Sequence, residues 1–154
     1  MSSNKLKLSK LATKEVDHLS ARLGLRPNVI CRLAIGRSLS LPESVNGYVR
    51  AEGEEKEAEM YVEKEFNRYT LTGNEDELYK ILIYQHEYSC SGRKIPENQY
   101  YYQYFRLHLE RGLDLLYYEY QRVNSPVEFL RSLIDTVDVN TGKVSRQTLM
   151  GEYE

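Results

Sequence analysis

Between Asn4 and Leu41 the chain reads NKLKLSKLATKEVDHLSARLGLRPNVICRLAIGRSLSL, a short alternating segment and then two helix-forming stretches joined at a glycine. Residues 4–8 place Leu6 and Leu8 on one face and Lys5 and Lys7 on the other, the period of a half-buried strand. A strand this short needs a partner strand or a helix to lie on. Ser9 can cap the helix that follows. Leu11, Ala12, Val16, Leu19 and Leu23 then recur at helical spacing, and Gly24 falls where a helix C-terminus favours a left-handed residue. Pro27 suits the first turn of a second helix. Val29, Ile30, Leu33 and Ala34 give that helix a core stripe, and Pro42 ends it by Leu41. Gly36 is a weak point within it or a place of close helix contact.

This head is strongly basic. Residues 1–40 hold Lys5, Lys7, Lys10, Lys14, Arg22, Arg26, Arg32 and Arg37 against only Glu15 and Asp17, a net of +6, whereas the whole chain is −2 and the remainder therefore −8. A pI near 6.0 hides this split, so whole-chain charge is a poor guide to partners. At 154 residues the chain is long enough to bury one real core. No apolar run approaches the roughly 18 residues of a membrane helix, and MSSNKLKLSK lacks the apolar centre of a signal peptide. A cytoplasmic protein with no membrane partner is expected, with Cys31 and Cys90 as free thiols.

Beyond Leu41 the character changes. Residues 42–65 hold eight acids against Arg50, Lys56 and Lys64. PESVNGYVRAEG reads as a loop, and EEKEAEMYVEKE as a short solvated helix or an insertion. Phe66–Gly73, FNRYTLTG, alternates like a second strand. Asn74 with Glu77 resembles a capping box for a helix that carries Leu78, Ile81, Leu82 and Gln85 on one face, and Gly92 and Pro96 punctuate the loop after it. From about Glu97 to Val123 runs the longest helical pattern, with Tyr101, Tyr104, Phe105, His108, Leu109, Leu113, Leu116, Tyr117 and Tyr120 in a wide apolar stripe. Gly112 would let another helix approach. Ser125 and Pro126 open a short helix that buries Phe129, Leu130, Leu133 and Ile134, and from Asp138 the tail is polar. The expected fold is mainly α, a small helical domain with a short N-terminal strand.

The pattern of reactive side chains does not suggest catalysis. His18, His86 and His108 are far apart, and no phosphate-binding glycine loop or HExxH motif is present. Structural, hydrogen-bonded histidines explain His18 and His108 better than catalysis does. Cys31 falls near the core stripe, where burial makes a thiol inert. No metal or cofactor is expected. Eight cations on a strand and two helices can instead line up against DNA phosphates, each contact adding sequence-independent affinity. The helix opening at Arg26-Pro27-Asn28 also offers free N–H groups to an anion. Seven of the fourteen tyrosines lie between Tyr100 and Tyr120. They could stack bases, but consecutive residues on a helix face different ways, which favours packing or an oligomer interface.

The strand–helix–helix order resembles ribbon-helix-helix repressors. More specifically, LSKLATKEVDHLSARLGLRPNVICRLAIGRSL, then EFNRYTLTG, then RLHLERGLDLL resemble, in that order, the DndE family of DNA phosphorothioation systems. The match falls on Lys5–Leu41, Glu65–Gln85 and about Leu107–Leu116. The resemblance implies a variant ribbon-helix-helix core and a non-enzymatic accessory protein. Such a protein binds nicked double-stranded DNA and assembles as a homo-oligomer, such as a tetramer, beside the sulfur-transfer and ATPase components of the Dnd machinery. DNA-binding cations then map to Lys5, Lys7, Lys10 and Lys14, with Arg22, Arg26, Arg32 and Arg37 as further candidates. The implied organisation is one DndE-like domain over residues 1–123, with an acidic insertion at about 42–64, followed by a C-terminal helix and polar tail over 124–154. A regulator reading an operator through paired strands, or a pure assembly protein, are the competing readings.

Overall fold

The first strand, β1 (Lys5–Lys7), pairs antiparallel with β2 (Glu65–Asn67), setting Lys5 opposite Asn67, Leu6 opposite Phe66 and Lys7 opposite Glu65. The computed structural model describes residues 4–51 and 58–134. The pleat turns Leu6 inward, and Leu8 beyond it is fully buried. Two backbone bonds lengthen the ribbon: Leu8 N–H donates to Lys64 O at 2.8 Å and Arg68 N–H to Asn4 O at 2.6 Å.

The partner strand that residues 4–8 require is therefore present, but FNRYTLTG does not continue as a strand. After Asn67 the chain enters a short helix, α3 (Arg68–Thr72). Asn67 Oδ1 accepts from Tyr69 N–H at 2.9 Å, a cap that stops the ladder. Leu71 and Thr72 are both buried although adjacent, which a helix permits and a half-buried strand does not. The carbonyls left open at the end of so short a helix are taken by Arg32, whose Nε donates to Leu71 O at 2.6 Å and Nη2 to Thr70 O at 3.3 Å.

Helix α1 (Lys10–Leu23) begins where Ser9 Oγ accepts from Ala12 N–H at 3.1 Å and ends at Gly24, left-handed at φ 69°. Helix α2 (Pro27–Leu39) has proline in its first turn and buries Ile30, Cys31, Ala34, Ile35 and Ser38, so its core stripe is rotated from the expected one, leaving Val29 and Leu33 half-buried. Gly36 is exposed and touches nothing within 4 Å of where a Cβ would sit, which removes the close-contact reading.

Helix α4 (Asp76–Ser91) follows a tight turn at Gly73–Glu75, and the expected Asn74 cap is not made. Its start is set instead by Asp76, which accepts from Arg68 Nε at 2.9 Å and from Thr72 Oγ1 at 3.0 Å. The long helix expected from Glu97 is three pieces: a 3-10 turn at Glu97–Gln99, a π-helical stretch at Tyr100–Phe105, and α5 (Arg106–Val123). Its apolar stripe is buried as expected at Tyr101, Tyr104, Phe105, His108, Leu109, Leu113, Leu116 and Tyr120, with Tyr117 half-buried. Gly112 lies against α2, so close that a Cβ there would fall 1.8 Å from Ala34 O.

The chain divides into two compact units, residues 1–117 and 118–154. In the second, α6 (Pro126–Ile134) buries Phe129, whose ring meets Tyr120 edge-on at 5.6 Å. Leu130 and Leu133 are only half-buried and Ile134 is 66% exposed, against the expectation that all four are core. Only the part of α6 at Phe129, against Tyr120, is fully covered. The polar tail from Asp138 lies outside the described residues, as does part of EEKEAEMYVEKE; residues 59–64 of that stretch are turn and extended chain, not helix.

Candidate nucleic-acid interface

The eight cations of the head fall into three groups. Lys5 and Lys7 occupy the solvent face of the ribbon, but β2 and its approach place carboxylates beside them, Glu65 at 3.8 Å and Glu63 at 4.0 Å. Exposed pairs of this kind hold loosely, at roughly 0–1 kcal/mol each, and a phosphate can displace them. Lys10, Lys14 and Arg22 run down α1 at spacings of four and eight residues, with His18 filling the step between. Burial lowers the basicity of the His18 imidazole, and Arg22 and Lys14 lower it further through like charge. Lys14 Nζ lies 5.2 Å from the centre of the Tyr117 ring. The third group is Arg32 and Arg37, structural in their contacts, together with Arg26. Arg32 closes α3, and Arg37 Nη1 donates to Ser40 Oγ at 2.8 Å at the end of α2. Arg26 is exposed at the mouth of α2, where Asn28 Nδ2 reaches Thr70 O at 3.4 Å.

The two acids of the head do not join the α1 row. Asp17 pairs with Lys64 Nζ at 3.0 Å. Glu15 is 1% exposed and lies 2.9 Å from Arg50 Nη2, although neither of its oxygens accepts a well-aligned hydrogen bond. Arg50 also reaches Glu110 Oε1 at 3.0 Å and Asp114 Oδ1 at 3.4 Å, so one guanidinium serves three carboxylates. Burial pushes the Glu15 carboxyl up to about 8, with Arg50 pulling it down and Asp114 adding to the rise. Burial works against the Arg50 charge, but Glu15 and Glu110 outweigh it and hold its basicity above the ordinary value. Ser9 locks the same network to the start of α1, its Oγ donating to Glu110 Oε1 at 2.6 Å.

His108 is structural, as expected. Arg111 Nε donates to Ser38 Oγ at 2.8 Å, and Ser38 Oγ lies 2.8 Å from His108 Nδ1. One hydroxyl thus ties the imidazole to Arg111, while His108 Nε2 is buried with no hydrogen-bond partner. Ser38 and His108 are fully buried, and burial lowers His108 to about 3, unlike a base poised for transfer near neutral pH. Arg111 also closes the C-terminus of α2, donating to Ser38 O at 2.8 Å and Glu43 O at 3.0 Å. Cys31 is buried and its thiol pushed up to about 12 by desolvation. His86 Nε2 lies 2.7 Å from Leu41 O, with Cys90 Sγ 3.7 Å away. Among the described residues no three His, Cys, Asp or Glu side chains are grouped to hold a metal.

Two surface features escaped the sequence. The face of α4 bearing Leu78, Ile81, Leu82 and Gln85 points to solvent, with Ile81 60% exposed, and Tyr88 continues it. Its period was visible, but a period does not say whether anything covers it. Arg68 sits among Tyr69, Tyr100 and Tyr101, a grouping that needs α3 and the π-helical stretch to meet.

Comparison with known proteins bears on this arrangement. The family model described as DNA sulphur modification protein DndE matches residues 5–124, a span that takes in the ribbon, both head helices, α4 and α5. The fold is similar to that in the crystal structure of DndE from Escherichia coli B7A, a protein involved in DNA phosphorothioation modification. The TM-score is 0.50 at 18% identity, over 75% of this chain and 98% of that one. No curated protein matches the chain. No helix among the described residues is long and apolar enough to cross a membrane. With its head helices, ribbon and buried α5 all inside the matched span, the chain belongs to the DndE family and so to DNA sulphur modification.

Proposed function

We propose that the chain is a DNA-holding accessory subunit of DNA phosphorothioation, working in the cytoplasm on nicked double-stranded DNA while partner proteins carry out sulfur transfer and ATP hydrolysis. The α1 row supports this reading above all. Lys10, Lys14 and Arg22 follow one another along the helix, while Glu15 is buried and Asp17 is engaged by Lys64. Phosphates meeting that row exchange condensed counterions for fixed cations, which favours duplex DNA of any sequence. A nick lowers the cost of bending the duplex over a cationic surface, so preference arises from shape. Lys5 and Lys7 on the ribbon extend the same track.

The operator-reading alternative has less support. Its strands would enter the major groove with side chains on base edges. Here each strand is three residues long, and the solvent face mixes Lys5 and Lys7 with Glu65 and Asn67. Lys10→Glu with Lys14→Glu should weaken binding of nicked and intact duplex alike in gel shifts at two salt concentrations. The slope of log affinity against log salt should also fall by roughly two, about one per lost contact. Wild-type affinity and slope in this double variant would refute the α1 reading. A preference for one sequence of ~1–3 kcal/mol per base pair would favour the regulator instead.

Self-association is the second part of the proposal, and it moves from the tyrosine row to α4. Tyr100, Tyr101 and Tyr104 are consumed by the protein's own core, whereas Leu78, Ile81, Leu82 and Tyr88 are presented on one helix. Exposed Glu75 and Glu77 mark one end of that helix and exposed Arg93 and Lys94 the other. A second copy laid antiparallel on α4 would set each acidic end beside a basic one and cover both apolar faces, as a two-fold interface requires.

A further inference from the structure

One end of the ribbon runs into aromatic rings gathered on a fixed arginine. Arg68 follows β2 directly, and its N–H donates to Asn4 O at 2.6 Å, beside Lys5. Its guanidinium carbon lies 4.8 Å from the centre of the Tyr101 ring, 5.6 Å from Tyr100 and 5.8 Å from Tyr69. Asp76 grips it with two bonds of 2.9 and 2.8 Å, so the cation cannot swing away. Tyr102 meets Tyr101 edge-on at 5.8 Å.

The rings differ in what they offer. Tyr100 and Tyr101 are 2% and 6% exposed, whereas Tyr69 and Tyr102 are 53% and 44% exposed. Tyr101 therefore joins the two exposed rings from beneath, through Arg68 on one hand and by direct contact on the other. Its hydroxyl is buried with no hydrogen-bond partner, a polar group left over by the fold. Both exposed rings stand on rigid supports. Tyr69 is in the first turn of α3, with its N–H held by Asn67 Oδ1. Tyr102 is on the π-helical stretch Tyr100–Phe105, a departure from α geometry that is rare and concentrated at functional sites.

We propose that Tyr69 and Tyr102, with Arg68, form a stacking site for an unpaired nucleobase at a DNA strand break. Aromatic faces beside a cationic backbone track are the combination that holds unstacked bases without regard to sequence. A base flanking a nick has lost continuity on one side, so it leaves the stack at less cost than one inside intact duplex. Phosphates on Lys5 would bring that base to the end of the ribbon where Tyr69 stands. The inference rests on the DNA-holding reading and adds to its shape preference a direct contact with the base at the nick.

The test compares three 5′-labelled duplexes of one sequence by fluorescence anisotropy at fixed salt: intact, nicked, and nicked with abasic residues on both flanks. The full chain is used as wild type, as Tyr69→Ala with Tyr102→Ala, and as Tyr69→Phe with Tyr102→Phe. Wild type should prefer the nicked duplex, and the alanine pair should lose about 5- to 150-fold of that preference, the range that ~1–3 kcal/mol of stacking converts to. Its affinity for intact duplex should not change. The phenylalanine pair should behave as wild type, and the abasic nick should lose the same share of the preference, keeping only what easier bending supplies. An unchanged preference in the alanine pair, or full affinity for the abasic nick, would overturn the stacking site. So would equal affinity of wild type for nicked and intact duplex, an outcome that leaves the α1 reading standing. Absence of salt-dependent binding to any duplex would overturn both. Should the alanine pair fail to fold, the abasic duplex with wild-type protein decides the matter alone.

Discussion

Glu15 is an acid that this fold buries among other charged side chains. Its carboxyl is one of three sharing Arg50, and burial pushes it up to about 8 from an ordinary 4.5. The folded protein thus binds this proton more tightly than the unfolded chain does. The stabilisation is complete below pH 4.5 and is lost as pH rises towards 8. His108 works in the other direction. Burial lowers it to about 3, so its contribution is complete above pH 6.5 and is lost on acidification towards pH 3. Above pH 6.5 the Glu15 effect therefore acts almost alone. Thermal unfolding followed at intervals from pH 6.5 to 8.5 should show a falling midpoint in wild type, at most about 1.4 kcal/mol per pH unit. In Glu15→Gln the curve should be flat. Parallel curves for the two proteins would mean that Glu15 does not carry the proton. The burial of Glu15 also serves the surface, because an acid at this position of α1 would otherwise stand among the cations.

At the scale of elements, the pair α2–α5 decides how the head is seated. Gly112 lets the α5 backbone reach Ala34, and a methyl group at that point would meet Ala34 O at 1.8 Å and Ala34 C at 2.3 Å. Neither atom can rotate away, so Gly112→Ala must push the helices apart. That separation strains the Ser38–His108–Arg111 hydrogen bonds, which cross the same interface. Overpacking of this kind costs roughly 1–3 kcal/mol where side chains give way, and here the cost should reach the upper end or beyond. Urea denaturation should place the midpoint of Gly112→Ala well below that of wild type. Gly36→Ala, with open space around it, should match or slightly exceed wild type because alanine favours helix. Equal midpoints for Gly112→Ala and wild type would rule out the close approach.

For the whole molecule, the question is what covers α4. Single exposed apolar side chains are ordinary, but Leu78, Ile81, Leu82 and Tyr88 on one helix make a continuous patch. If a second copy covers it, Ile81→Glu with Leu82→Glu should reduce the mass seen by light scattering towards the 18.1 kDa of one chain. The circular dichroism spectrum should be unchanged, because both residues already face water. An unaltered mass would mean that α4 is not the interface between copies. Combining this variant with the DNA assay separates the two surfaces, since the α1 cations are untouched by it.

Local chemistry is legible in the order of residues alone. Ser9, Gly24 and Pro27 set the ends of α1 and α2 through contacts within a single helical turn. The stripe from Tyr101 to Tyr120 announces its burial by period, and the family resemblance rests on contiguous phrases such as LGLRPNVICRLA. Residue order alone thus sufficed for the ends of the two head helices, the basic head and the DndE kinship. Tertiary structure decided the rest, because those outcomes depend on groups far apart in the chain. FNRYTLTG bends after Asn67 because Arg32 is there to close the helix that results. Glu15 leaves the cationic row because Arg50, Glu110 and Ser9 meet around it. The tyrosine row divides into core and surface because Arg68 and Asp76 arrive from another segment. Burial, hydrogen-bond satisfaction and charge pairing belong to a position in space, and only the folded chain assigns it.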